Sequence, residues 1–184
     1  PPIPLPRTVY RVGEALGEMP ADKEVRVLDL FAGSGCIGVA ILAHVPNAHV
    51  TFGEKEIRHL ETIKKSTLEN NTDLTRASIV QSDVWSGIAG PFEYIFANPP
   101  YISRERLSAD ESVVQTEPDE ALFAEDDGFY FIEKIIEKLT RFLTPNGVCF
   151  IEHEPFQVAR LQKEAELAGF SADAFKDQYG VLRY

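Results

Sequence analysis

The chain has 184 residues, of which 44% are hydrophobic and 26% are charged. This length suffices for one domain with a sizeable core but not for two ordinary domains, and the composition disfavours a disordered or membrane-spanning chain. Lys and Arg number 18 against 29 Asp and Glu, so the formal net charge is -11. Because such a surface repels a phosphate backbone, a dedicated nucleic-acid-binding protein is disfavoured, although a local basic groove remains compatible with the sequence.

Short apolar runs alternate with amphipathic segments from Val25 onward, which is typical of a parallel sheet covered by helices. Strands are predicted over residues 25–30, 50–52, 78–80, 94–97 and 148–151. Helices are predicted over residues 36–44, 57–70, 129–142 and 156–168. Residues 145–147 are interpreted as a turn, and short β-like pieces around Gly180 fit a closing hairpin. The fold class is therefore α/β.

The remaining local features predict a long loop and two buried thiols. Residues 103–127 break the periodicity and are rich in acidic side chains, and a loop of this length is usually functional or mobile. Cys36 and Cys149 lie far apart in apolar runs. They predict buried core thiols and neither a disulfide framework nor a metal site.

A glycine-rich turn follows the first predicted strand, in the segment VLDLFAGSGCIG at residues 27–38. Gly33 and Gly35 allow a tight turn and a close approach by a ligand. With Gly38 they also satisfy the dinucleotide glycine fingerprint, so a nicotinamide oxidoreductase stays open. We expect a cofactor to bind along this segment, at Asp29, Phe31, Ala32, Gly33, Gly35 and Gly38.

Asp29 separates the two kinds of cofactor. A carboxylate near the end of the first strand repels a pyrophosphate but attracts a cationic ammonium group. S-adenosylmethionine carries such an ammonium and no phosphate, so the sequence favours this cofactor, with S-adenosylhomocysteine as its product. After the second strand, Glu54 is expected to accept the ribose hydroxyls. After the third, Asp83 is expected to accept from the adenine amino group, with Val84 or Trp85 against the ring.

Asn98-Pro99-Pro100-Tyr101 forms a rigid polar turn directly after the fourth strand. Two prolines fix φ and remove two backbone donors, which leaves a surface that accepts hydrogen bonds from an NH2 group. The Asn98 side-chain oxygen and the Pro99 carbonyl are each expected to take one amino hydrogen, with Tyr101 packed against the planar group. These four residues are the predicted catalytic set, and Asn98 also counts among the cofactor-binding residues.

These residues together resemble the HemK/PrmC glutamine methyltransferases, a family that modifies the glutamine of the Gly-Gly-Gln loop in class I translation release factors. The similarity covers nearly the whole chain. Its motifs are the cofactor and acceptor residues above, the segment Ile3-Pro4-Leu5-Pro6-Arg7-Thr8, the pairs Glu117-Pro118, Ala121-Leu122 and Asp127-Gly128, and Ile151-Glu152-His153 with Gln157.

The resemblance implies a class I S-adenosylmethionine-dependent methyltransferase with a Rossmann-like fold: a seven-stranded, mostly parallel sheet with an antiparallel closing hairpin. Residues 1–20 are then a proline-containing lead-in segment and residues 21–184 the catalytic domain. Arg7, Thr8 and Glu117 join Asn98, Pro99 and Tyr101 as expected substrate-binding residues. The implied partner is a class I release factor, and we expect a monomer without membrane attachment.

The chain departs from the family in two places. It begins Pro1-Pro2-Ile3-Pro4, without a Met, and lacks the small helical domain that usually precedes the proline segment. Val9-Tyr10 also stands where the family has an acid. We therefore interpret the sequence as a trimmed or excised domain in which cofactor binding is kept and affinity for a protein substrate is reduced.

Three other functions stay open at this point. Asn-Pro-Pro-Tyr is shared with enzymes that methylate the exocyclic amino group of adenine in DNA or RNA, although the acidic balance and the lack of a target-recognition segment disfavour nucleic acid. A cofactor-binding module without chemistry and the nicotinamide oxidoreductase are the others. His153 lies between Glu152 and Glu154, but neighbours on a strand point to opposite faces, so no metal site is predicted. The expected location is cytoplasmic, with the mitochondrial matrix as the alternative.

Overall fold

The computed structural model describes residue 17 and residues 19–103, 122–173, 175–176 and 182–183, the last two pairs by their backbone alone. The chain divides into two compact units: Pro1–Ala97 with Arg141–Phe150, and Asn98–Thr140 with Ile151–Tyr184. The predicted boundary at residue 20 stays a prediction, because most of the lead-in segment lies outside the described residues.

The strands lie close to the positions that the apolar runs predict. They are β1 (Val25–Leu30), β2 (Ala48–Glu54), β3 (Ala77–Gln81), β4 (Phe92–Ala97), β5 (Leu143–Ile151), β6 (Phe175–Lys176) and β7 (Leu182–Arg183). Five of them form one sheet in the order β3-β2-β1-β4-β5, and β6 pairs antiparallel with β7 in a two-stranded sheet of its own. The predicted α/β class is confirmed, but the main sheet has five strands in the described residues and not seven.

The helices also follow the predicted pattern, with ends that differ by one or two residues. They are α1 (Cys36–His44), α2 (Ile57–Glu69), α3 (Tyr130–Phe142) and α4 (Val158–Leu167). Residues 74–76 and 155–157 form short 3-10 helices. The second of these takes up the start of the predicted helix over 156–168, because Pro155 begins a tight turn before Val158 continues as α-helix.

The predicted turn over residues 145–147 is wrong, since β5 already begins at Leu143. Pro145 and Asn146 are exposed within it. In the described sheet β5 lies at the edge, where a proline is tolerated when its nitrogen faces away from the neighbouring strand. The turn chemistry of Pro-Asn-Gly is therefore compatible with an extended edge strand.

The register of the first unit brings its polar strand ends together. β1 pairs in parallel with β2 and with β4, with Leu30 opposite both Gly53 and Ala97. The chain thus leaves β1 toward β2 on one side and returns to β4 on the other, which makes the carboxyl end of β1 the topological switch point where α/β sheets bind ligands. The core beneath includes Val27, Ile41 and Phe52, all 1% exposed or less.

Candidate functional site

Two buried carboxylates hold the glycine turn of the first unit. Asp29 in β1 accepts a hydrogen bond from the Gly38 N–H at 2.9 Å, and Glu54 at the end of β2 accepts one from the Gly33 N–H at 2.7 Å. The side chains are largely removed from water, since Asp29 is 2% and Glu54 7% exposed. The turn is therefore tied to both strands before any ligand arrives.

The sharp glycine turn depends on backbone conformations that a side chain disfavours. Gly33 and Gly35 have φ of +55° and +77°, and Phe31 has φ of +61°. A Cβ placed on Gly33 meets no heavy atom within 4 Å, whereas one placed on Gly38 would lie 2.2 Å from the Phe52 ring. Gly33 therefore leaves open space for a ligand, while Gly38 lets α1 pack closely on β2.

Burial changes the acid–base properties of this region. Loss of solvation raises the pKa of Asp29 to about 7, partly opposed by the Gly38 hydrogen bond and reinforced by the negative charge of Glu54. Burial likewise raises the pKa of Cys36 to about 11 and that of Cys149 to about 12. Both cysteines are free, as predicted, but each is half-buried and not the buried core thiol that the apolar runs predict, and Cys36 packs against the outside of the core.

Glu54 contacts two more groups through its other carboxylate oxygen. Its second oxygen accepts the Glu56 N–H at 2.8 Å and lies 3.6 Å from the His59 Nδ1 atom of α2. A carboxylate oxygen has two lone-pair directions, so these contacts leave acceptor capacity for a hydroxyl pair. His59 is a neighbour that the sequence patterns did not single out, because only its position one helical turn after Glu56 brings it here.

The predicted adenine-side residues fall into different environments. Asp83 is 60% exposed along its side chain and forms an ion pair with Lys55 at 3.3 Å. Val84 is half-buried with φ of +52°. Trp85 is buried and stacked on Phe142, with ring centroids 4.4 Å apart. Because one face of the indole packs in the core, the placement favours Val84 as the residue against a ligand ring.

The second unit contains the predicted acceptor segment, residues 98–101. Asn98 is exposed, Pro99 and Pro100 are buried, and Tyr101 is half-buried. The Tyr101 hydroxyl donates to Glu152 at 3.2 Å. A polar side chain is thus presented at the start of a backbone that two buried prolines restrict.

Residues 102–103 anchor the end of this segment. Ile102 donates its N–H to the Leu122 carbonyl at 2.9 Å and accepts from the Ala124 N–H at 3.1 Å. The Ser103 hydroxyl donates to Asp127 at 2.8 Å. The acceptor segment is therefore paired with residues 122–127, far along the chain.

Three predicted contact residues, Arg7, Thr8 and Glu117, lie outside the described residues, so their roles stay predictions. His153 is fully buried, with Nδ1 2.8 Å from the Glu154 carbonyl oxygen. Within the described part of the chain, His, Cys, Asp and Glu side chains form no group of three or more that could hold a metal ion. No helix among the same residues is long and apolar enough to cross a membrane.

The fold is that of the class I methyltransferases. A methyltransferase from Pyrococcus furiosus matches with a TM-score of 0.67, over 96% of this chain and 79% of that structure. At 16% identity this likeness concerns the fold alone.

Sequence relatives give the family. The Methyltransferase small domain family matches residues 15–120, more than half of the chain, and the chain belongs to this family. The release factor glutamine methyltransferase of Deinococcus radiodurans is 29% identical over 99% of the chain and 64% of its own length. That of Lactococcus lactis subsp. lactis is 34% identical over 82% of the chain and 54% of its own length. The resemblance expected from the motifs is therefore confirmed, and the chain spans less than two thirds of either relative.

Proposed function

We propose that this chain transfers a methyl group from S-adenosylmethionine to the side-chain amide nitrogen of the glutamine in the Gly-Gly-Gln loop of a class I release factor. Membership of a methyltransferase family supports the reaction and the cofactor. The names of the relatives support the acceptor. The glycine fingerprint shared with nicotinamide enzymes is weaker support for an oxidoreductase. The N–H groups of Gly33 and Gly38 donate to carboxylates and are not presented to a pyrophosphate.

The residues of the glycine turn fit S-adenosylmethionine. Gly33 leaves open space above the turn, Glu54 keeps acceptor capacity for the ribose hydroxyls, and Asp29 offers a carboxylate for the ammonium group, directly or through water. When bound, S-adenosylmethionine supplies a methyl group on a sulfonium, and transfer to nitrogen leaves a neutral thioether and one proton. A cationic group beside Asp29 would favour its ionised form and draw its pKa back down.

The observation that carries the acceptor assignment is the exposed Asn98 directly before two buried prolines. The Asn98 side-chain oxygen and the Pro99 carbonyl take one amide hydrogen each, so the nitrogen is held in a defined direction without a large change in backbone. Tyr101, fixed by Glu152, packs against the planar amide. This arrangement orients the acceptor and excludes water from one of its faces.

An amide nitrogen is a weak nucleophile, and residues 98–101 contain no strong base. Orientation must therefore account for most of the rate enhancement, with the proton lost to water during or after transfer. We expect the rate to vary little with the titration of any single group in this segment. Methylation of an adenine amino group would use the same hydrogen-bond pattern and is the outcome that the test below must exclude.

The test is a competition among three acceptors for methyl-labelled S-adenosylmethionine: an intact class I release factor, a Gly-Gly-Gln peptide and an adenine-containing oligonucleotide. We expect label in the release factor, less in the peptide and none in the oligonucleotide, as measured by mass spectrometry. Label in the oligonucleotide alone would overturn the glutamine assignment. Tight cofactor binding with no label in any acceptor would indicate a binding module without chemistry, and tight NAD binding by calorimetry would indicate an oxidoreductase.

A further inference from the structure

Gln157 is a buried amide whose two ends bind three separate segments of the second unit. It is 3% exposed, and its Oε1 atom accepts the Glu154 N–H at 2.8 Å. Its Nε2 atom donates to the carbonyl oxygens of Tyr101 and Asp127, both at 3.0 Å. Both amide hydrogens are thus used, and the opposite orientation of the amide would place oxygen against two carbonyls.

Gly128 allows the close approach on which these hydrogen bonds depend. A Cβ at this position would lie 2.0 Å from the Tyr101 carbonyl oxygen and 2.8 Å from the Gln157 Nε2 atom. Its φ of +79° is also one that side chains disfavour. The backbone at Gly128 therefore packs directly on the Tyr101 carbonyl, in a space that no other residue fits.

The Arg160 side chain holds the loop that contains Asp127 and Gly128. Arg160 of α4 pairs with Asp126 at 2.6 Å, and its guanidinium lies 4.0 Å from the centroid of the Phe129 ring. Residues 126–128 have three consecutive positive φ values, a conformation that the surrounding contacts must maintain. The Asp127 carbonyl that accepts from Gln157 therefore belongs to a loop that several contacts hold in place.

We propose that Gln157 is a positioning residue for methyl transfer: it fixes the Tyr101 carbonyl and, through the two prolines, the direction of Asn98. Prolines restrict the backbone between Asn98 and Tyr101, so a fixed Tyr101 carbonyl limits where the Asn98 side chain points. Gln157 acts through Tyr101 and is not assigned any contact with the substrate. The inference rests on the proposed function, because it assigns Asn98 to the acceptor.

The main test is Gln157→Glu, which keeps the size of the side chain and an oxygen for the Glu154 N–H but replaces the donor with an acceptor. We expect kcat for acceptor methylation to fall about 10- to 100-fold, the usual scale for a displaced reacting group. Affinity for S-adenosylmethionine should stay within about two-fold, because Asp29 and Glu54 hold the glycine turn. This kcat loss without a change in cofactor affinity distinguishes positioning from general destabilisation.

A pH profile gives a second readout. The carboxyl introduced by Gln157→Glu faces two carbonyl oxygens in a buried site, which raises its pKa, and its protonated form donates one hydrogen bond. The activity of this variant relative to wild type should therefore rise as pH falls from about 8 to about 6. Because Glu152, His153, Glu154 and Asp127 surround this position in both proteins, the activity is expressed as a ratio to wild type at each pH. A leucine side chain offers no hydrogen-bond donor at any pH, so Gln157→Leu should show no such recovery.

Two further variants serve as the matched control and the independent check. Gln162→Glu makes the same chemical change at a half-buried position of α4 and should leave kcat unchanged. Gly128→Ala should reproduce the kcat loss, because its Cβ displaces the Tyr101 carbonyl. Thermal melting and S-adenosylmethionine binding establish that each variant is folded.

Amide hydrogen exchange tests the contact without relying on activity. Gln157→Glu should accelerate exchange in residues 101–103, while Gln162→Glu should not. Unchanged exchange together with wild-type kcat in Gln157→Glu would overturn the inference. If the wild-type protein labels no glutamine acceptor, the proposed substrate is wrong. Hydrogen exchange still decides whether Gln157 holds residues 101–103 in place. The kcat values are then compared on the acceptor that the wild-type protein does label.

Discussion

The glycine turn and the acceptor segment are stabilised by opposite chemistry. In the turn, the carboxylates of Asp29 and Glu54 accept from backbone N–H groups. In the acceptor segment, the neutral amide of Gln157 donates to backbone carbonyls. The partner suits the backbone group in each case: carboxylates accept from the N–H groups of Gly33 and of Gly38 in the first turn of α1, whereas the Gln157 amide donates to carbonyl oxygens.

This difference predicts separable functions. Negative charge at the turn suits a cationic cofactor. The amount of negative charge depends on pH, because the pKa of Asp29 lies at about 7. The tie at the acceptor segment is made by the uncharged amide of Gln157. Substitutions in the turn should therefore change cofactor affinity and stability, whereas those in the acceptor segment should change turnover.

The largest effect is expected for Asn98→Ala. Loss of the side chain that orients the acceptor should lower kcat by about 100-fold or more, with cofactor affinity within a few-fold of wild type. Steady-state methylation and calorimetry give the two numbers. Asn146→Ala, at an exposed asparagine of β5, is the matched control and should behave as wild type. Wild-type turnover in Asn98→Ala would refute its assigned role.

Glu54→Ala, beside the glycine turn, should affect cofactor affinity and not turnover. It removes the acceptor for the Gly33 and Glu56 N–H groups and for the ribose hydroxyls, so cofactor binding should weaken by about 1.5 to 3 kcal/mol. Calorimetric titration measures the loss. Glu56→Ala removes an exposed carboxylate two residues away and should cost much less. Equal affinities for both variants would contradict the role of Glu54.

Two glycine substitutions separate packing from backbone strain. In Gly38→Ala, the added Cβ meets the Phe52 ring at 2.2 Å, so we expect a loss of unfolding free energy of about 1 to 3 kcal/mol. Gly33→Ala enters open space and adds strain from its positive φ alone, at about 1 kcal/mol. Urea denaturation compares them. A larger loss in Gly33→Ala would contradict the close packing assigned to Gly38.

The smallest effect is the pH dependence that Asp29 contributes. Its folded-state pKa of about 7 lies above the unfolded value of 3.8, so the folded protein binds the proton more tightly. Stability should therefore rise as pH falls through about 7, and the cost of the buried charge is fully present above it. The Asp29→Asn variant lacks this titrating carboxyl. The free energy of unfolding of the variant, relative to wild type, should therefore be about 1 kcal/mol more favourable at pH 8 than at pH 6. Urea midpoints at both values measure it, and a constant difference would show that Asp29 does not titrate in this range.

The parts of the fold that the sequence predicts are those set by local pattern. The bounds of β1 and α1 agree with the apolar run before Asp29 and the helix start after Gly35. Parallel pairing places the carboxyl ends of β1 and β2 at the same edge of the sheet, which is why Asp29 and Glu54 are both predicted to bind the cofactor. Edge strands are harder, since the extended conformation of Pro145 in β5 depends on where the sheet ends and not on turn propensity.

The hydrogen bonds from Gln157 to the Tyr101 and Asp127 carbonyls could not be predicted from its neighbours in the sequence. Glu154 and Gln157 form a capping box at the start of the 3-10 helix over residues 155–157, which is a local interaction. The contact with Tyr101, however, joins residues 56 positions apart and needs the tertiary fold. The same holds for Trp85, whose burial against Phe142 becomes apparent only once the core is assembled.

Mass spectrometry of release-factor fragments, after incubation with labelled S-adenosylmethionine, shows whether the methyl group is placed on a glutamine side-chain nitrogen. We expect one labelled methyl group on the glutamine of the Gly-Gly-Gln loop with wild-type protein, and none with Asn98→Ala at equal cofactor occupancy. Label on another residue, or equal labelling by the two proteins, would contradict this expectation.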